Sequence, residues 1–226
     1  MARGQATGPD RATEGPPSGL EAARLGRADR RDALLDAAAG MVSAGEVDAV
    51  SMDSVADAAG VSRALVYKHF RNRRELLSAL YDRESAQLHA QLSALVQQGE
   101  GLAGKLRALI GGALAAQAAR GATFAALGQS GGPSGAHGRR QRRRDSGTLR
   151  YFTEVAVKEL GVDRDVAEAT LGVALSTIPS VLRQWRRHPT VEHADLLTDC
   201  FVAMTVGGLE TMARDGRPAG RGGAPA

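Results

Sequence analysis

An all-α fold is the expectation for this chain, and three features lead to it. From residue 30 onward apolar side chains recur at helical spacing, beginning with Leu34, Leu35, Ala38, Met41 and Val42 on one face. Strand-like alternation is scarce. Aromatic residues make up only 4%, so a core must come mainly from Ala, Leu and Val, and alanine-rich, β-branched-poor segments favour helix. The 226 residues suffice for one large domain or two small ones.

The pattern that opens at Leu34 predicts a first helix from about Arg30 to Ser43, ended by Gly45. Ser51 to Leu77 then read as two short helices, a tight turn and the start of a third helix. Ser51 can cap the first short helix through its hydroxyl, and Val55, Ala56 and Ala59 line one face. Gly60 follows, where positive φ would stop the helix. Ser62 can cap the second, Arg63 to Phe70, whose inner face is Val66 and Phe70. A small residue at Ala56, a turn glycine at Gly60 and a branched anchor at Val66 make a helix-turn-helix. From Val61 to Arg74 the chain carries Arg63, Lys68, Arg71, Arg73 and Arg74 and no acid. That suits a phosphate backbone, as does, more weakly, the net charge of +4.

GVSRALVYKHFRNRREL resembles the signature of the TetR family of bacterial transcriptional regulators. It has the Gly-Val-Ser turn, a Tyr-x-His-Phe near the end of the recognition helix, and a basic residue starting the next helix. The resemblance covers about Arg30 to Leu80; the remainder is similar only in length and helical character. It implies a three-helix DNA-binding domain over residues 29–74 and a helical ligand-binding and dimerisation domain over 75–214. The implied protein is a homodimeric repressor without a cofactor, bound to a palindromic double-stranded operator and released by a small-molecule effector.

A recognition helix presents its first side chains to base edges and its flanks to phosphates. Arg63, Ala64 and Leu65 therefore face the major groove, with Arg63 able to donate a bidentate pair to guanine. Ala64 stands where the family often has glycine, and Leu65 where threonine is usual. Tyr67, Lys68, His69 and Arg73 match positions that hold the DNA backbone in the family. Asp53 occupies a position where the family can carry a basic phosphate contact, leaving Ser51 or Ser54 to supply it; Ser62 completes the candidate DNA-binding set. Residues 1–28 hold almost no large apolar side chains and are expected to be disordered, as are residues 215–226. Arg24, Arg27, Arg30 and Arg31 near the end of the first of these read as a solvated tail or as an arm reaching the minor groove.

Downstream, Asn72 and Glu75 form a capping-box-like start to a long helix reaching about Gln98, broken by Gly99 and Gly101. A further helix from Leu102 is expected to end at Gly121, followed by a short one over residues 123–127 and a Gly/Ser/Pro loop. Arg139, Arg140, Arg142, Arg143, Arg144 and Arg150 oppose only Asp145; a solvated helix start or mobile loop is expected, with an acidic effector or a second phosphate contact as the alternatives. Leu106, Leu109, Ile110, Leu114, Phe124, Leu127, Tyr151 and Phe152 can line a cavity between helices. The cavity as a whole is the expectation, since each of these residues also suits plain core.

Two final helices, about Asp163–Arg187 with Pro179 inside and Val191–Met212, are apolar on more than one face. A partner is expected to cover what their own subunit does not, the alternative being a fully internal core pair. In the family the last two helices of each subunit build the dimer interface. The resemblance therefore assigns Gly172, Leu175, Ile178, Leu182, Leu197, Phe201, Met204 and Gly208 to it.

Other classes have less support. The five histidines lack metal-ligand spacing, and neither a P-loop nor a nucleophile elbow occurs. No catalytic residue or metal site is assigned. Cys200, in an apolar helix, reads as packing. As the only cysteine it excludes an internal disulfide framework and fits a reducing cytoplasm. No apolar run approaches the roughly 18 residues of a membrane span, so a soluble cytoplasmic protein is expected. A DNA-binding architectural factor without a sensor is the runner-up, which the long apolar C-terminus disfavours.

Overall fold

Nine α-helices and one 3₁₀ turn, with no strand, make up the described residues of the chain. This computed structural model describes residues 26–131 and 136–215, of which residues 27, 122, 126, 128–131 and 136–142 by backbone alone. The expected disordered arm and tail lie almost wholly outside the described residues. The chain divides into two compact units, residues 1–80 and 81–226.

In the first unit α1 (Arg27–Ser43) begins three residues before its expected start. It buries Leu34, Leu35, Ala38 and Val42, and Met41 is half-buried. A 3₁₀ turn (Val47–Ala49) leads to α2 (Met52–Ala58). Ser51 and Ser54 cap this helix reciprocally: each hydroxyl accepts from the other's backbone N–H, at 3.0 and 2.8 Å. At its end Gly60 takes φ of 64°. The Val61 N–H donates to the Ala56 carbonyl at 2.9 Å and the Gly60 N–H to Asp57 at 3.1 Å, the Schellman pair that a left-handed residue permits. The turn then delivers α3 (Arg63–His69), whose N-cap Ser62 accepts from the Leu65 N–H.

α4 (Arg73–Gln98) follows. Asn72 accepts from the Glu75 N–H at 2.9 Å, as the sequence predicts, but the Glu75 carboxylate reaches back to Arg71, accepting from its N–H at 2.9 Å. Val55, Ala56, Val66, Phe70, Leu76, Leu77 and Leu80 complete the buried core of this unit. Arg31, expected in a DNA-facing arm or tail, instead lies 4.3 Å over the Phe70 ring and donates to the His69 carbonyl. It thereby serves the carbonyl end of α3.

In the second unit α5 (Gly101–Gly131) runs unbroken through Gly121, so the expected stop there and the separate short helix do not occur. A mid-helix glycine costs only about 1 kcal/mol against alanine, and the helix buries a leucine on either side of it, Leu114 and Leu127. At the start of α5 the Leu102 N–H donates to Glu159 at 2.6 Å. At Gly112 a Cβ would come within 2.7 Å of the Leu92 side chain, so glycine permits this close crossing. α6 (Ala136–Leu160) places the backbone of the basic run on a helix.

The expected helix with an internal proline is two helices, α7 (Arg164–Ser176) and α8 (Ile178–Trp185), parted at Thr177. Pro179 sits at the start of α8, where a missing N–H breaks no helical bond. α9 (Val191–Arg214) is capped by Thr190 and closes the bundle. Its core joins Leu102, Leu106, Ile110, Phe152, Leu171, Trp185, Phe201 and Leu209.

Residues 164–185 and 191–214 are long and apolar enough by composition to cross a membrane, which the sequence reading did not anticipate. The first is interrupted at Thr177, and both contribute buried residues to the bundle core.

Candidate nucleic-acid interface

The α2–turn–α3 frame leaves one side of α3 uncovered. Val66 faces inward and is fully buried, whereas Arg63, Ala64, Tyr67 and Lys68 are exposed and Leu65 and His69 are partly so. The candidate base-reading and backbone-holding residues of α3 therefore share one accessible side. Lys68 has no ion-pair partner among the described residues, and its ammonium is available to an anion.

Arg63 is engaged. Its Nε lies 2.7 Å from Asp53 Oδ1, both side chains being exposed. Its Nη2 donates to the Tyr67 hydroxyl at 3.4 Å, and its guanidinium sits 5.5 Å from the Tyr67 ring centroid. The hydrogen bond to Tyr67, with the Asp53 charge behind it, raises the Arg63 pKa further above its ordinary value. The sequence marked Asp53 as a departure from the family pattern without disclosing this pairing. Ten positions separate Asp53 from Arg63, and only the turn geometry brings them together.

Other candidates are occupied locally. Ser51 and Ser54 bond to one another, and the Ser54 hydroxyl also reaches the Ala49 carbonyl at 2.9 Å. Ser62 is committed to its cap. Arg73 donates through Nε to the Val50 carbonyl at 2.6 Å and through Nη2 to Val47 at 2.7 Å. It pins the 3₁₀ turn below α2, a structural task that its basic character alone did not reveal.

The second unit has hollows and one uncovered apolar face. A hollow of about 420 Å³ is lined by Tyr81, Ser85, Leu88, His89, Leu92, Ala113, Ala116, Gln117, Phe124, Arg144, Pro179 and Leu182. A smaller one of about 230 Å³ shares His89 and Leu92 with it and adds Leu109, Tyr151 and Phe152. Of the candidate pocket residues, Leu109, Phe124, Tyr151 and Phe152 reach these hollows. Leu106, Ile110, Leu114 and Leu127 are buried and line neither. His89 was not anticipated as a lining residue, because it lies on no apolar stripe, whereas Arg144 belongs to the basic run for which an acidic effector was the alternative.

On α7–α9 the candidate interface residues divide. Met204 is 79% exposed, and Gly172, Leu175, Ile178, Leu182 and Gly208 are partly exposed. Leu197 and Phe201 are buried in the chain's own core. Val173, 69% exposed, and Leu196 are large apolar surface residues that the candidate set lacked. Cys200, expected as packing, is exposed and lines a groove of about 400 Å³ with Val173, Val181 and Met204.

Comparison with known proteins agrees with this geometry. The family model "Bacterial regulatory proteins, tetR family" matches residues 34–80. A search of curated proteins finds no match. Among solved structures, a protein of Pseudomonas aeruginosa PAO1 described as a transcriptional regulator superposes with a TM-score of 0.67 at 17% identity, over 88% of this chain and 99% of that one. A tetR-family transcriptional regulator of Streptomyces coelicolor gives 0.60 at 23%, over 84% and 89%. The transcriptional regulator FadR of Bacillus subtilis, in complex with stearoyl-CoA, gives 0.54 at 17%, over 78% and 97%. At these identities the superpositions speak for the fold, and the matched segment is the one that holds α2, the turn and α3. Residues 34–80 are thus similar to the segment by which the tetR family of bacterial regulatory proteins is recognised, within a fold like that of the solved transcriptional regulators.

Proposed function

We propose that the chain is a cytoplasmic homodimeric repressor that binds a palindromic operator through α3 and releases it when a small molecule enters the second unit. The proposed division is a DNA-binding domain over residues 29–74 and an effector-binding and dimerisation domain over 75–214. The observation that carries the dimer is the apolar surface on α7 and α9 around Val173, Leu196 and Met204. Exposed apolar area of this kind marks an interaction surface. One recognition helix makes few base contacts, and two held about 34–36 Å apart on successive major grooves supply the rest.

The effector reading is supported by the paired hollows that share His89 and Leu92. Their walls are apolar along Leu88, Leu92 and Phe124, with Arg144, His89 and Gln117 as polar groups. An amphipathic molecule with an acidic or hydrogen-bond-accepting group suits that lining, and one structural neighbour holds an acyl-CoA. Titrating a panel of medium- and long-chain carboxylates and their thioesters against the protein–operator complex tests this. Release by such compounds, weakened by Arg144→Ala, is the expected result. Release only by uncharged compounds, or undiminished in Arg144→Ala, would sink the acid-binding reading.

Two substitutions test α3. Arg63→Ala is expected to lower discrimination at one base position per half-site by about 1–3 kcal/mol, read from binding to singly substituted operators. Lys68→Ala is expected to weaken all sequences alike and to reduce the slope of log affinity against log salt by about 1 per protomer. A slope identical to that of the wild type would remove Lys68 from the phosphate contacts.

A further inference from the structure

A flexible arginine on a recognition helix can sample phosphates, solvent and several bases, and its selectivity depends on what holds it. In this chain two groups hold Arg63. Asp53, from α2, sets its Oδ1 2.7 Å from Nε in an ion pair. Tyr67, one turn along α3, accepts from Nη2 at 3.4 Å with its ring beside the guanidinium. A guanidinium carries five N–H donors in a planar fork. With Asp53 beside Nε and one Nη2 hydrogen on Tyr67, Nη1 and Nη2 still hold three donors for the two acceptors, O6 and N7, that guanine presents.

We propose that Asp53 is a specificity-positioning residue: with Tyr67 it fixes the Arg63 guanidinium so that its outer edge is presented to a guanine. This rests on the reading of α3 as the recognition helix. An exposed ion pair contributes little to folding stability, so its effect falls on which conformations Arg63 occupies. The carboxylate also acts against the wrong contact. An unrestrained Arg63 could swing to a phosphate and add affinity for any sequence, whereas Asp53 competes for that charge and repels phosphates itself. Tyr67 keeps its own hydroxyl hydrogen while accepting from Arg63, and so can still donate to a phosphate.

The test uses the full-length protein and duplex oligonucleotides carrying its selected operator, with each half-site position substituted in turn. For the wild type a guanine preference is expected at one position per half-site, lost in Arg63→Ala. Asp53→Asn is expected to reduce the preference at that same position about two- to tenfold, leaving other positions unchanged, while affinity for non-operator DNA stays level or rises. Tyr67→Phe is expected to reduce the same preference together with overall affinity. Asp53 also lies in the first turn of α2, so a purely structural role would lower the thermal midpoint and weaken all positions evenly. That outcome, or full discrimination retained in Asp53→Asn, overturns the proposal. A wild type that selects an operator with no Arg63-dependent position overturns it too. A wild type that selects no operator at all overturns instead the regulator reading on which it rests.

Discussion

Phe70→Ala is expected to destabilise the first unit by about 3–5 kcal/mol, the range for truncating a buried phenylalanine. Phe70 is fully buried where α3 gives way to extended backbone. Its N–H donates to the Val66 carbonyl at 2.9 Å, and its ring supports the Arg31 guanidinium, which in turn serves the His69 carbonyl. Losing the ring opens a cavity and removes the surface on which Arg31 rests. Small domains hold only about 5–15 kcal/mol in total, so much of the first unit's stability is at stake. Urea unfolding followed by amide exchange within residues 26–80 measures this. Trp185, the single tryptophan, lies in the second unit and its fluorescence should change little. A loss below 1 kcal/mol would contradict the packing described.

Met204→Asp is expected to convert the proposed dimer to monomers and to abolish operator binding. Met204 projects from α9 into the groove with Val173 and Cys200, and is itself largely exposed. In an isolated chain an aspartate there meets water; in an interface it is a desolvated, unpaired charge, which is strongly unfavourable. The position discriminates where Phe201 would not, since Phe201→Asp places the charge in the subunit's own core and unfolds it whether or not a dimer forms. Sedimentation velocity with wild type and variant, alongside a thermal midpoint to show that the variant is folded, reads the outcome. A folded Met204→Asp dimer that binds the operator would move the interface elsewhere.

The sequence made local structure legible wherever one residue settles the backbone. Gly60, Ser51, Ser62 and Asn72 each mark a boundary that capping chemistry requires, and each boundary lies where the residue type places it. Gly121 misled because glycine stops a helix only when the chain needs positive φ, and there the packing of Leu114 and Leu127 carries α5 onward.

The candidate site was legible in outline. The exposed side of α3 follows from the inward placement of Val66 and Phe70. What arginines hold onto was not legible: Arg31, Arg63 and Arg73 read as facing DNA or solvent, and each is bonded within the chain to a partner at least four positions away. Likewise an apolar stripe did not separate the buried Leu197 and Phe201 from the exposed Val173 and Met204, since both kinds recur at helical spacing on α7 and α9.

The central claim is that two copies of this chain read one palindrome through α3. Selection of bound fragments from random duplex DNA by the purified full-length protein, with the stoichiometry of the selected complex measured by analytical ultracentrifugation, tests it most directly. The expected result is an inverted repeat whose half-sites are centred about one helical turn or a multiple of it apart, bound by an even number of protomers, with selection weakened by Arg63→Ala. Enrichment of a single asymmetric site bound by one protomer, or no enrichment above input, would contradict it.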